Sequence, residues 1–107
     1  MKNLILELNQ TMNFSLEQIQ QGLSRRINED APMEVVQAWL KDDSTMPDTL
    51  RHNVVMWIME LWAKERDACT AKQLLDVDNK FSRVLRDYSL TDIIAFKKEL
   101  SQKLQNN

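Results

Sequence analysis

The stretch that decides the fold runs from residue 35 to residue 62 and reads VVQAWLKDDSTMPDTLRHNVVMWIMELW. Apolar side chains recur every three or four residues on both sides of a polar turn, DDSTMPD at 42–48. This spacing predicts two α-helices, because residues three and four apart share one face of a helix. The second predicted helix, about 47–67, has an apolar stripe wider than one amphipathic face, which predicts a central position.

Helix-start signals on either side of this stretch predict further helices. Asp30 is expected to cap a helix that has Pro32 in its first turn and runs to about Lys41. Apolar periodicity predicts other helices over about 3–12 and about 16–28, one beginning at Thr70, and one from Ser89 to about 105. Three pairs have the spacing of a capping box, namely Ser15 with Gln18, Thr70 with Gln73, and Ser89 with Asp92.

The composition agrees with a helical chain. One glycine and two prolines in 107 residues leave few signals for turns or strand ends. The hydrophobic fraction of 43% and the charged fraction of 28% are typical of an ordinary globular domain, and the length fits one domain. The sequence therefore predicts an all-α fold, a compact bundle of five or six short helices that forms a single helical domain over residues 1–107.

The predicted core contains two of the three tryptophans. Trp39 and Trp57 fall on the apolar stripes of their helices, whereas Trp62 is expected at the edge of its stripe. An exposed tryptophan there would mark a protein-binding surface, because aromatic anchors dominate interface energies. The last helix is expected to turn Lys97 and Lys98 to water and to bury Ile93, Phe96, Leu100 and Leu104.

The residue inventory gives little support to catalytic or metal chemistry. The chain has one cysteine, Cys69, and one histidine, His52, which excludes an internal disulfide and disfavours a structural zinc site. A nucleophilic pair of these two residues is less well supported than a helix-start thiol and a surface imidazole. Asp76 and Asp78 resemble the opening of a calcium loop, but its glycine and closing glutamate are missing. We expect no enzymatic activity, no metal site and no cofactor.

The apolar segments are too short for a membrane protein. No apolar run approaches the roughly 20 residues that a membrane span needs. The segment NLILEL at 3–8 contains Glu7 and lacks the cleavage site of a signal peptide. A single cysteine also fits a reducing compartment. The sequence therefore predicts a cytoplasmic protein with no membrane partner.

The charge balance gives no general attraction to nucleic acid. The formal net charge is −2. Residues 1–52 carry five basic and eight acidic side chains, and residues 53–107 carry nine basic and eight acidic ones. A large polyanionic partner is therefore not indicated by charge alone.

The segment VVQAWLKDDSTMPDTLRHNVV, residues 35–55, resembles the region around the recognition helix of Cro and related helix-turn-helix phage repressors. The resemblance is partial and rests on Val36, Trp39, Leu40, Pro47 and Leu50. It implies a degenerate helix-turn-helix and a small DNA-binding transcriptional regulator of phage or plasmid type, with double-stranded DNA as the partner. The segment departs from the family in having no glycine in the turn before the candidate recognition helix.

The resemblance also implies which side chains would touch DNA. Gln37 is the candidate for a base edge, because its amide can pair with adenine in a bidentate way. Acidic residues on or just after the same helix oppose this interpretation, because each would face phosphate repulsion, and they are Glu34, Asp42 and Asp43. The residues expected to hold backbone phosphates are Arg25, Arg26, Lys41 and Arg51.

The alternative is a non-enzymatic protein–protein interaction module, an adaptor or an inhibitor. The apolar segment LILEL at 4–8 would be a homodimer seam or a docking segment, and a basic set on the fifth helix would offer a charged surface. A DNA reader should bind duplex with an affinity that falls steeply with salt, whereas an adaptor should ignore duplex. The basic set consists of Lys80, Arg83 and Arg86.

Overall fold

The computed structural model describes residues 3–27 and 31–105. Over these residues the chain is all-α, with six helices and no strand, so the predicted fold class is confirmed. The helices are α1 (Leu4–Gln10), α2 (Leu16–Ile27), α3 (Met33–Lys41), α4 (Asp48–Ala68), α5 (Ala71–Val84) and α6 (Leu90–Gln105).

The chain divides into two compact units within α4. The first unit covers Asn3–Val54, and the second begins at Val55. Helix α4 therefore contributes residues 48–54 to the first unit and residues 55–68 to the second. The expectation of one domain over 1–107 stays a prediction.

The first unit is built on the mutual packing of α1, α2 and α3. Their spacing of apolar residues predicts the buried faces well, because each helix buries one stripe. Gly22 is also buried in α2, where the absence of a side chain lets a neighbour approach closely. The buried apolar side chains of this unit are Leu4, Ile5, Leu8, Ile19, Leu23, Ala31, Val36, Met46, Leu50 and Val54.

One side chain, that of Asn3, joins two of these helices. Its Oδ1 accepts from the backbone N–H groups of Ile5 and Leu6 at 3.1 and 3.2 Å, which caps the start of α1. Its Nδ2 donates to the carbonyls of Trp39 and Leu40, at 2.8 and 3.2 Å, in the last turn of α3. Asn3 thus provides hydrogen-bond partners for backbone N–H groups at the start of α1 and for backbone carbonyls at the end of α3, which lack partners within their own helices.

The predicted capping signals appear at their helix starts. The backbone N–H of Gln18 donates to Ser15 Oγ at 3.1 Å, and Gln18 Oε1 accepts from Ser15 N at 2.8 Å. Asp30 lies outside the described residues, and α3 instead begins after Pro32, whose carbonyl accepts from the N–H of Val36 at 3.2 Å. The same reciprocal arrangement as at Ser15 joins Ser89 and Asp92, and Gln73 Oε1 accepts from Thr70 N at 3.0 Å.

The second unit has an aromatic core. The rings of Trp62 and Phe81 stack with centroids 5.5 Å apart and planes 7° apart. Tyr88 and Phe96 meet edge to face at 5.4 Å. Both arrangements are favoured geometries for aromatic pairs. The buried apolar side chains of this unit are Val55, Met56, Trp57, Ile58, Met59, Trp62, Phe81, Val84, Leu85 and Leu100.

Three expectations about the core need correction. Trp62 is only 8% exposed and does not sit at an open edge. Trp39 is half-buried, and its Nε1 donates to Thr45 Oγ1 at 3.3 Å. Leu104 is 65% exposed, although Leu100 is buried. Leu104 lies one turn beyond Leu100, in the last turn of α6.

Candidate functional site

The candidate base-reading side chain lies on the solvent face of α3. Gln37 and Lys41 are both exposed and four residues apart, so they share this face. Glu34 is exposed one turn before Gln37. The face therefore presents one amide, one cation and one anion, which gives no net attraction to a polyanion.

The arginines of α2 lie elsewhere in the first unit. Arg25 is exposed, and the side chain of Arg26 lies outside the described part of the structure. Two hydrogen bonds close the connection from α2 to α3: Gln20 Nε2 donates to the Ala31 carbonyl at 2.8 Å, and Ala31 N donates to Ser24 Oγ at 3.1 Å. An open cavity of about 550 Å³ lies here, lined by Gln20, Gln21, Ser24, Arg25, Ala31 and Pro32.

The guanidinium of Arg51 is engaged inside the first unit. Its Nη1 lies 2.8 Å from Asp43 Oδ2, and its Nη2 donates to the Asp43 carbonyl at 2.7 Å. The two side chains are only 13% and 10% exposed. The guanidinium of Arg51 also balances the negative charge of Asp43, which is one of the acidic residues expected to repel phosphate. Asp42 stays exposed, and the backbone N–H of Ser44 lowers the pKa of its carboxyl.

The other predicted interaction segments have internal contacts. Leu4, Ile5 and Leu8 of the LILEL segment are buried in the first unit. On α5, Lys80 Nζ lies 2.7 Å from Glu65 Oε2 and 5.0 Å from the ring centroid of Phe81. Arg83 and Arg86 are exposed, at an open hollow of about 690 Å³ that is also lined by Asp76, Asn79 and Ser82.

No metal-binding cluster forms in the described part of the chain. Groups of three or more metal-ligating side chains are absent from it. His52 is exposed, and the half-buried Cys69 donates its thiol to the Arg66 carbonyl at 3.4 Å. Asp78, which the sequence places in a possible calcium loop with Asp76, accepts hydrogen bonds from the side chains of Trp62 and Arg66 on α4.

Exposed large apolar side chains of the described residues occur only in the second unit. Leu75 on α5 is 69% exposed, and on α6 Leu90, Ile94 and Leu104 are 76%, 46% and 65% exposed. The three α6 residues fall on one strip of the helix together with exposed Lys97 and Ser101. We call Leu90, Ile94, Lys97, Ser101 and Leu104 the α6 strip.

A groove adjoins this strip between α6 and the second-unit part of α4. It has a volume of about 380 Å³. Its buried lining includes Met59, Trp62 and Leu100, so its floor is apolar and aromatic. The other lining residues are Ala63, Arg66, Lys97, Ser101 and Leu104, three of which belong to the α6 strip.

Cations lie along the edge of this groove. Lys97 Nζ lies 5.5 Å from the ring centroid of Trp62, within reach of a cation–π interaction. Arg66 also lines the groove, and its Nη1 donates to Asp78 Oδ1 at 2.6 Å. Trp62 Nε1 donates to the same oxygen at 2.8 Å. The bond from Arg66, followed by the bond from Trp62, holds the pKa of Asp78 below its usual value.

Known proteins offer no further guide to this site. No protein-family model, curated protein or solved structure matches the chain. None of the helices among residues 3–27 and 31–105 combines the length and apolar character that a membrane crossing requires.

The α6 strip is not among the sites predicted from the sequence, although its spacing is present there. The strip residues follow one another at intervals of four, three, four and three positions. Helical periodicity alone predicts Leu104 to be buried and Lys97 to be a solvated lysine, which hides the strip. The exposed fractions of Leu90 and Leu104 make the strip visible.

Proposed function

We propose that this chain is a non-enzymatic protein–protein interaction module that binds its partner through the second unit. The observation that carries the proposal is the exposure of Leu90, Ile94 and Leu104 along one strip of α6. Leu90 and Ile94 are one turn apart, and Leu104 lies on the same strip beyond Lys97 and Ser101. Exposed apolar patches with polar surroundings are typical of interaction sites. Single exposed leucines need no explanation, but three along one helix strip do.

The groove beside the strip supports the same proposal. Strong binding sites combine an apolar, well-packed pocket with a polar edge that excludes water. Here Met59, Trp62 and Leu100 form the floor, and Arg66 and Lys97 stand at the edge. A partner side chain entering the groove would be removed from water against a tryptophan ring.

A photocrosslinking experiment tests the proposal. A photoreactive residue replaces Ser101, which is exposed and lines the groove, and a matched control replaces exposed Gln21 in the first unit. We expect a discrete protein adduct from position 101 in the source cells and none from position 21. Equal labelling from both positions would overturn the proposal.

Reconstitution with the identified partner makes the test quantitative. We expect the double substitution Ile94→Asp and Leu104→Asp to weaken binding of the purified partner by about tenfold or more, as for interface anchors. Leu75→Asp is the control, because Leu75 is at least as exposed as Ile94 and Leu104 but lies on α5. An unchanged affinity in the double variant, or an equal loss in the control, would contradict a site on α6.

A DNA-binding regulator is the second candidate. It is favoured by the exposure of Gln37 and Lys41 on one face of α3, the helix that resembles a recognition helix. The ion pair of Arg51 with Asp43 supports the phosphate contact of Arg51 less than those of the exposed cations. The remaining contacts would come from Arg25, Arg26 and Lys41.

Salt titration of duplex binding separates the two candidates. For the interaction module we expect weak duplex binding that does not change when Arg25 and Arg26 are both replaced by glutamine. A DNA reader would show an affinity that falls steeply with salt, with a smaller salt slope in that double variant. It would also lose affinity in Gln37→Ala, because base contacts carry the specificity.

A further inference from the structure

The spacing of the α6 strip is that of a helix–helix seam. Intervals of four, three, four and three residues are the a and d positions of a heptad repeat, along which two helices pack side by side. We propose that the α6 strip docks one α-helix of a partner protein, and that this helix carries a carboxylate opposite Lys97. This inference rests on the proposed function. Leu90 and Ile94 contact one end of that helix, and Leu104 contacts the other.

The groove gives the docked helix a pocket for an anchor side chain. Knobs of one helix pack into holes of the facing helix, and the 380 Å³ groove beside Ser101 and Leu104 is such a hole. A small residue, Ser101, lies on the strip and lines the groove together with Trp62 and Leu100. Amphipathic helices bind apolar grooves in this manner with anchors three and four residues apart.

The charge at the centre of the strip specifies the partner. Lys97 makes a cation–π contact with Trp62 and no ion pair with any residue in the described ranges. Asp78 is near enough for Lys97 to contribute to the lowering of its pKa, but its carboxylate already accepts from Trp62 and Arg66. The Lys97 ammonium is therefore the charge that attracts a partner carboxylate at the centre of the strip.

A second copy of the chain is a poor occupant. Lys97 is the third of five strip positions. In a parallel, in-register pairing of two strips the middle position faces itself, so two ammonium groups would meet at the centre of the seam. In an antiparallel pairing no residue of the strip offers Lys97 a carboxylate. Like charges that face each other in an interface are destabilising, whereas a carboxylate at this point is stabilising.

A peptide-binding experiment tests the proposed partner. The probes are two labelled helical peptides about three heptads long, with leucine at the seam positions and either glutamate or lysine at the central one. Fluorescence anisotropy measures their affinity for the full chain. We expect the glutamate peptide to bind at least about tenfold more tightly than the lysine peptide, because attraction replaces the repulsion of two like charges inside the interface.

Substitutions on α6 connect the preference to one residue. Lys97→Glu should reverse the order of the two peptides. Lys98→Glu is the matched control, since it makes the same charge change one residue away from the strip, and it should keep the order. Equal affinities for the two peptides, or an order that survives Lys97→Glu, would overturn the inference.

The remaining outcomes separate this inference from the proposed function. If neither peptide binds while position 101 still crosslinks a protein, the helical acidic partner is wrong and the interaction module stands. If position 101 crosslinks no protein, the function itself fails. Displacement of the peptides by vesicles of phosphatidylserine and phosphatidylcholine, with direct vesicle binding lost in Lys97→Glu, would overturn the inference in favour of a membrane surface.

Discussion

Asp43 and Arg51 hold each other across the turn between α3 and α4. The arginine reaches both the carboxylate and the backbone carbonyl of the aspartate, at 2.8 and 2.7 Å. Both side chains are largely removed from water. Removal of one partner leaves a charge with little solvation, which is more damaging than removal of both.

Asp43→Ala should therefore destabilise the protein by about 3 kcal/mol, and Arg51→Ala by a similar amount. The double substitution Asp43→Leu and Arg51→Met should cost less than either single change, because no unpaired charge remains. Chemical denaturation of the wild type and the three variants measures these differences in the free energy of unfolding. Single losses below about 0.5 kcal/mol would show that the pair behaves as a surface ion pair.

Trp57→Ala should destabilise by about 3–5 kcal/mol, as expected for truncation of a large core side chain. Trp57 is 8% exposed and lies in the buried run of α4. Leu75→Ala, on an exposed site of α5, is the control and should change stability by less than about 0.5 kcal/mol. A loss below about 1 kcal/mol for Trp57→Ala in a urea melt would contradict its place in the core.

Two leucines on α6 should respond very differently to the same substitution. Leu100 is 7% exposed and Leu104 is 65% exposed. Leu100→Ala should cost about 2–5 kcal/mol, whereas Leu104→Ala should stay within about 0.5 kcal/mol. Thermal unfolding of both variants checks the assignment, and equal costs would mean that Leu104 belongs to the core after all.

Asp78 should make a contribution to stability that depends on pH. Its pKa in the folded state is lowered mainly by Arg66 and then by Trp62. Its contribution is therefore fully present above the unfolded-state pKa of about 4 and is lost as pH falls through the lower folded-state pKa. Asp78→Asn should destabilise at pH 7, and the difference from wild type should shrink in acid. A constant difference from pH 7 to pH 2 would contradict this.

Asn3→Ala should destabilise by about 1–2 kcal/mol, because the first turn of α1 loses its cap and the carbonyls of Trp39 and Leu40 lose a donor. Asn3→Ser keeps a capping oxygen but has a shorter side chain. Its stability should fall between those of wild type and Asn3→Ala, which separates the cap from the bond to α3. If Asn3→Ser matches Asn3→Ala in denaturant, the cap contributes nothing measurable.

Local signals in the sequence predict the helices because caps and periodicity act over a few residues. Ser15 with Gln18 and Ser89 with Asp92 form the expected bonds, and the helix starts follow from them. The pairing of Arg51 with Asp43 is not encoded in this way, since it depends on how the chain turns between α3 and α4. The same holds for Trp62 with Asp78, which are 16 residues apart.

Exposure is the other quantity that the sequence could not supply. Leu100 and Leu104 have the same side chain and neighbouring places in the pattern, yet only the first is covered. The cover depends on what packs against each turn of α6, which is a tertiary property. The resemblance of residues 35–55 to repressors implies DNA contacts that stay predictions, namely those of Arg25, Arg26, Gln37, Lys41 and Arg51.

Helix α4 belongs to both units, with residues 48–54 in the first and residues 55–68 in the second. A cut at Val54 would leave a stub of about two turns, too short to persist alone because helix nucleation is unfavourable. Separately expressed halves should therefore fold poorly even if each keeps its apolar residues. The genetic consequence is that insertions near Val54 should be among the least tolerated in the chain, whereas conventional domain boundaries accept them readily.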